Sequence, residues 1–174
     1  MPTIINQLQI RTEKTTDFIQ IDEVLCRAFE RKDEATLVRE IRNNRDYIAL
    51  VALIGDKVVG HVFFSPTPIL TKKGLIGAIS LAPVAVDPQY QGKGVAKLLI
   101  NTGLERCKAE GHRIVIVLGH PEYYPRFGFV RASSYRIKPP FSVPDEAFMI
   151  LELEEGALNG VEGVVSYPPE FEKV

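Results

Sequence analysis

Cysteine is scarce in this sequence. Only Cys26 and Cys107 occur, with no Cys-x-x-Cys and no metal-ligand spacing around either. That excludes a disulfide framework and a zinc-type cluster, so no metal is expected and both residues read as reduced thiols packed within helices. An excess of charge of one sign is also lacking: 21 Lys and Arg stand against 22 Asp and Glu, for a formal net charge of -1. Without a long-range field or a Lys/Arg run, nucleic acid is not an expected partner. Long apolar runs are absent too. Nothing approaches the roughly 20 apolar residues of a membrane span, and Met1 to Asn6 lack a basic segment followed by a sustained apolar core. No membrane partner is expected, and the expected location is cytoplasmic. No repeat, low-complexity block or long linker divides the chain.

What is present fits one globular domain over residues 1–174: 45% of residues are apolar and 25% charged, enough for a substantial core. Leu8 to Arg11 reads as a first strand. Thr15-Thr16-Asp17 supplies capping chemistry for a helix carrying Phe18, Ile21, Val24, Leu25, Ala28 and Phe29 on one face. A second helix is expected from about Asp33 to Asn43-Asn44. The runs 47–54 and 57–64, separated by Gly55-Asp56, read as a hairpin. A loop over 65–74 then leads to a strand over 75–86 with Pro83 inside it. Proline cannot donate to a ladder, so this strand should bend or part from a neighbour.

A helix after residue 94, with Val95, Leu98, Leu99, Thr102 and Cys107 near one face, is expected to stop at Gly111. The unbroken apolar run Ile114 to Leu118 reads as a strand buried on both faces. A strand-helix-strand unit of this length implies parallel pairing through a right-handed crossover. A short helical turn is expected within 119–129, further strands over 130–137 and 147–153, and nothing definite from Gly156 onward. The fold class is mixed α/β.

The chemistry concentrates in Val84-Ala85-Val86-Asp87-Pro88-Gln89-Tyr90-Gln91-Gly92-Lys93-Gly94-Val95-Ala96, a strand running through a turn into a helix. The first amides of a helix lack partners and sit at the positive end of its dipole, which favours an anion. Gly92 and Gly94, without Cβ atoms, let phosphate oxygens approach the amides of Gln91 through Val95. A P-loop needs Ser or Thr after Gly-Lys, and Gly94 is there instead; a dinucleotide fingerprint needs a third glycine where Lys97 stands.

What remains, Gln89-Tyr90-Gln91-Gly92-Lys93-Gly94 between a Val-Ala-Val-Asp-Pro strand end and a helix, resembles the acetyl-CoA-binding motif of the GNAT superfamily of N-acetyltransferases. The order of elements resembles the GNAT fold from about residue 8 to 153, with 154–174 as a tail. The Tyr123-Tyr124-Pro125-Arg126-Phe127-Gly128-Phe129 run and the tail look most like the YhbS-like branch. The resemblance implies an acyl-CoA N-acyltransferase fold whose mixed central sheet, flanked by helices, splays between its fourth and fifth strands.

It further implies acetyl-CoA as cosubstrate, with the pantetheine along Val84, Ala85 and Val86 and the pyrophosphate on Gln91, Gly92, Gly94, Val95 and Ala96. Lys93, Lys97 and Arg126 are candidates for the CoA phosphates. Acetyl transfer to an amine passes through an oxyanion, for which the Val84 N–H is the candidate donor. Tyr124, four residues before Gly128 of the Gly-Phe pair, is the candidate acid for the leaving thiolate, with Tyr123 as its alternative. Residues 79–84 offer no carboxylate where some relatives carry a glutamate. His120 and Glu122 are left as candidates for the base or for substrate contact, beside a water relay. The acceptor expected is a primary amine of a small molecule or peptide, attacked directly in a ternary complex by a monomer or homodimer. The other reading is a non-catalytic acyl-CoA-binding regulatory module.

Overall fold

The computed structural model describes residues 3–174, which form two compact units: residues 3–64 with Pro83–Glu105 and Glu170–Val174, and Ser65–Ala82 with Arg106–Pro169. In the first unit β1 (Leu8–Thr12) pairs antiparallel with β2 (Ile48–Ile54), and β2 with β3 (Lys57–Pro66). Gly55, at φ 59°, takes the left-handed conformation that this two-residue hairpin turn requires. Helices α1 (Phe18–Phe29) and α2 (Asp33–Asn44) lay Ile21, Val24, Leu25, Leu37, Val38 and Ile41 against Ala49, Val51 and Phe63. The expected helical stripes are this core. Asp17 precedes α1 without capping it; its carboxylate accepts instead from the Lys14 amide and from Arg11.

Successive β3 residues point to opposite faces. Phe63 packs with α1 and α2, while Gly60, Val62 and Phe64 lie toward α3 (Val95–Ala109). The approach of α3 is set by absent side chains: a Cβ on Gly60 would lie 2.9 Å from Leu99 Cδ1, and one on Gly103 2.5 Å from Phe64 Cε2. The helix buries Val95, Leu99, Ile100, Leu104 and Cys107, so the inward face is rotated away from Leu98 and Thr102. It ends as expected at Gly111 (φ 92°), where His112 N–H donates to Cys107 O and Gly111 N–H to Lys108 O, a Schellman closure.

In the second unit β7 (Ile114–Leu118) pairs parallel with the start of β6 (Ile79–Val86) and antiparallel with β10 (Phe148–Glu152), which also pairs with β8 (Val130–Arg131). A second sheet is ordered β5-β4-β11-β9, comprising β4 (Ile69–Thr71), β5 (Gly74–Ile76), β9 (Ile137–Lys138) and β11 (Gly163–Val165). Its inner face joins Ile114, Ile116, Phe148 and Ile150 in the core of this unit.

Three expectations are corrected here. The strand expected over 75–86 is two strands, β5 and β6, separated at Gly77-Ala78. The loop over 65–74 contains β4. Residues 130–137 are not one strand, because a 3-10 turn, Ala132–Tyr135, separates β8 from β9. The tail, for which the sequence predicts nothing definite, holds β11 and a 3-10 turn, Pro169–Lys173.

The expected parting of central strands is present. The β6–β7 pairing is confined to Ile79↔Val115 and Ser80↔Ile116, although β6 runs on to Val86 and β7 to Leu118. Pro83 follows just beyond the last pair, with no N–H to offer a ladder. The extra β4–β5 hairpin makes β6 and β7 the counterparts of the fourth and fifth strands expected to splay.

Candidate active site

The site is built outward from Asp87. Its carboxylate is buried; it accepts from the Gln89 amide at 3.0 Å and from Arg27 Nη1 at 2.6 Å. Asp87 N–H donates to Val59 O and Asp87 O accepts from Tyr90, so the turn Pro88–Tyr90 is fixed to β3 and α1 at once. Gln91 Nε2 donates to Val86 O at 3.0 Å, closing the loop on the strand before it. Sequence reasoning missed the anchoring pair because Arg27 lies far from Asp87 in the chain; the only local signal is an acidic residue before Pro88.

From this anchor the chain passes through Gly92 (φ 73°) and Gly94 (φ 87°), backbone that only glycine adopts without strain. A Cβ on Gly92 would meet nothing within 4 Å, so the glycine leaves open space. Leu98 N–H donates to Gly94 O and is the first amide of α3 with a helical acceptor. Among the described residues, none of the amides from Gln91 to Lys97 has a protein acceptor. The sequence-predicted residues Gln91, Gly92, Lys93, Gly94, Val95 and Ala96 thus lie together, a run of unpaired donors at a helix N-terminus and a fit for a diphosphate. Val95 is buried with its side chain in the core, so only its backbone is offered.

Val84 and Val86 lie on the same unit's stretch of β6. Asp87 N–H points to β3, and Ala85 O lies by Gly60 of that strand. By strand alternation the N–H and C=O groups of Val84 and Val86 point away from β3. Ala85 is buried against the α1/α2 core. The β6–β7 pairing ends at Ser80↔Ile116, so β7 gives the Val84 amide no ladder partner.

In the second unit the chain after β7 turns at His120, whose carbonyl accepts from the amides of Tyr123 and Tyr124. Tyr124 opens the 3-10 turn Tyr124–Phe127, so Pro125 does not prevent a helical conformation there. The Tyr124 ring is buried edge-on between Tyr123, at 5.2 Å, and Phe129, at 5.8 Å. Gly119 makes its space: a Cβ there would lie 2.4 Å from Tyr124 Cε2. Burial first, and the neighbouring Tyr123 second, push the Tyr124 phenol up to about 12, so it holds its proton throughout the neutral range. Its hydroxyl has no protein partner among the described residues. Arg126 stacks over the Tyr123 ring at 4.2 Å and donates to Tyr123 O, which makes it a structural brace for this turn. The side chains of His120 and Glu122 are exposed, with no bonded partner among the described residues.

Beside the carboxylate-free stretch 79–84 lies a buried hydroxyl cluster that sequence reasoning did not identify. Thr67 Oγ1 donates to Ser80 Oγ at 2.7 Å and lies 3.1 Å from Ser65 O, while Ser65 Oγ is buried without a partner. Ser80 belongs to the last β6–β7 pair. A lone serine in an apolar strand was its only trace in the sequence. Another buried group, His61, has Glu13 for a partner: Nε2 lies 2.8 Å from Glu13 Oε1, and Arg42 grips the same carboxylate through two bonds of 2.7 and 2.9 Å. Among the described residues no cluster of three or more His, Cys, Asp or Glu is placed to hold a metal, and no helix is long and apolar enough to cross a membrane.

Comparison with known proteins places this geometry. The acetyltransferase (GNAT) domain model matches residues 9–132. YhbS of Escherichia coli K12, described as an uncharacterized N-acetyltransferase, is 35% identical over 94% of this chain and 98% of its own length. YjhQ of the same strain, described likewise, is 39% identical over 78% of this chain and 76% of its own length. Among solved structures, E. coli YhbS in complex with CoA superposes with a TM-score of 0.90 at 35% identity, covering 95% of this chain and 92% of that one. A Brucella melitensis GNAT family acetyltransferase in complex with acetyl-CoA gives 0.78 at 29% identity, covering 94% and 97%.

Proposed function

Since this chain belongs to the GNAT acetyltransferase family, we propose that it moves the acetyl group of acetyl-CoA to a primary amine of a small molecule or peptide. The transfer is direct, in a ternary complex, and the whole chain acts as one acetyltransferase domain. The observation that carries this reading is the run of unpaired amides from Gln91 to Ala96 at the start of α3. A thioester cosubstrate with a diphosphate handle matches those donors, and CoA or acetyl-CoA occupies the two solved relatives above.

Each residue then has a task. The amides of Gln91, Gly92, Lys93, Gly94, Val95 and Ala96 hold the diphosphate. Val84, Ala85 and Val86 guide the pantetheine along their backbone, and the Val84 N–H stabilises the oxyanion that forms as the amine attacks the thioester carbon. Tyr124 protonates the departing thiolate. From a phenol at about 12 to a thiolate whose conjugate acid is ~8.5 in water, that step is uphill by roughly 5 kcal/mol. The dry surroundings that raise the phenol also raise a thiol placed beside it, which narrows the gap. The attacking amine, ordinarily an ammonium near pKa ~10.4, loses its proton to His120, Glu122 or water.

Incubation with radiolabelled acetyl-CoA and an amine panel tests the reading; CoA binding together with a labelled acceptor is expected. Tyr124→Phe should lower kcat at least ~100-fold, the lower bound for a proton-transfer residue, with CoA affinity retained. The regulatory-module reading draws on the lack of a carboxylate in β6. It predicts tight CoA binding, no turnover on any amine and no effect of Tyr124→Phe. Absence of CoA binding would defeat both.

A further inference from the structure

The small sheet of the second unit carries an arrangement in which the proposed chemistry assigns no residue a role. Its inner residues, Ile69, Val165 and Ile137, are core. The sheet is mixed, antiparallel over β5-β4-β11 and parallel between β11 and β9, and a sheet face left to solvent ordinarily shows polar residues. Here the outward row reads Leu75, Leu70, Val164, in register across β5, β4 and β11, at 63%, 54% and 41% exposure. Val164 is registered in turn with Lys138 of β9.

Leu70 and Val164 line a cavity of about 620 Å³ whose other walls include Lys72, Arg136 and Lys138, a volume in the ~300–1,000 Å³ range of small-ligand sites. Among the described residues Lys72 and Lys138 have no carboxylate partner. Arg136 meets Glu162 at 3.5 Å, with both side chains exposed, so the pair is weak in water.

Two backbone features favour a built site over a stray surface dip. Arg136 sits at φ 59°, where glycine would be free of steric penalty, so a guanidinium is kept at a position the backbone would give to glycine. At Gly163 a Cβ would lie 2.0 Å from Leu70 O, so β11 can approach β4 this closely only with glycine there.

We propose that this groove binds a small amphiphilic anion. Its carboxylate or phosphate meets Lys72, Arg136 and Lys138, and its apolar body covers Leu70 and Val164. Pairing with a second copy through this same face would set three cations and one carboxylate, Glu162, against the same set, a net like-charge contact that opposes that occupant.

The test is methyl NMR on chain labelled at Leu and Val, titrated with octanoate and, as controls, octanol and octylamine. Saturable shifts at Leu70, Leu75 and Val164 are expected with octanoate, at least tenfold weaker with octanol and absent with octylamine. Arg136→Gly should weaken octanoate binding severalfold while leaving the melting temperature unchanged or higher, since glycine relaxes the left-handed backbone. Adding Lys138→Gln should weaken it further. Equal response to octanol and octanoate, or indifference to both substitutions, would overturn the proposal. So would a concentration-dependent dimer that buries these methyls in sedimentation, or shifts produced by the acidic peptide Ac-Glu-Leu-Asp-Glu-NH2 and not by octanoate.

Discussion

At the residue scale the candidate site depends on side chains that are not there. Gly94 holds φ 87°, and a Cβ on it would also lie 2.9 Å from Ile5 Cδ1. Gly94→Ala should therefore weaken CoA binding about tenfold, from a left-handed penalty of roughly 1–2 kcal/mol, in a calorimetric titration; an unchanged dissociation constant would mean that the loop does not contact the ligand. Gly119→Ala tests the other half of the assignment, because it drives a methyl into the Tyr124 ring. Turnover should fall toward that of Tyr124→Phe while CoA affinity is retained. Gly92 and Gly94 were legible in the sequence because their meaning is local: two glycines, a strand before them and a helix after. Arg27–Asp87 and Glu13–Arg42–His61 were not, since each partner is ordinary in its own neighbourhood and meets the other only through the fold.

At the scale of elements, what the chain disclosed follows periodicity and length. The stripes of α1 and α2, the Gly55-Asp56 hairpin and the apolar run of β7 each repeat one pattern long enough to exclude the alternatives. The three-residue strands β4, β5 and β11 are too short for a pattern, and β4 and β11 find each other across most of the second half of the sequence. Residues 130–137 alternate only on either side of Ser133-Ser134, where the turn Ala132–Tyr135 and left-handed Arg136 interrupt them. Close packing of α3 on β3 gives this scale its prediction. Gly103→Ala would press a methyl to 2.5 Å from Phe64 Cε2, and overpacking of this kind costs about 1–3 kcal/mol. Chemical denaturation should register that loss with an unchanged m-value.

For the molecule as a whole, the buried Glu13–Arg42–His61 group sets a pH dependence. Burial removes water from the His61 ring and outweighs the attraction of Glu13, so its pKa lies below the usual 6.5 and the folded chain keeps the ring neutral. The unfolded chain takes up that proton as pH drops through about 6.5, so stability is full above this point and declines below it. Burial acts to raise the Glu13 carboxyl, but hydrogen bonds from His61 and Arg42 win and lower it from 4.5, adding a second loss below that pH. Urea midpoints should be flat from pH 8 to 7 and fall between 6.5 and 5. In His61→Gln, which cannot titrate, the upper part of that decline should vanish; a parallel decline in the variant would remove His61 as its source.

The first unit is assembled from three separated stretches, and its last one is held in place by Glu170 on Arg45, Lys173 on Glu40 and Phe171 against the α1/α2 core. On the ribosome, therefore, α1 and α2 emerge well before the stretch that finishes their unit. These helices must wait, partly uncovered, until residues 170–174 have been translated. Synthesis stalled before residue 170 would leave nascent chains that chaperones hold, and a single proteolytic nick in the middle of this sequence would free neither half as an independently folding fragment.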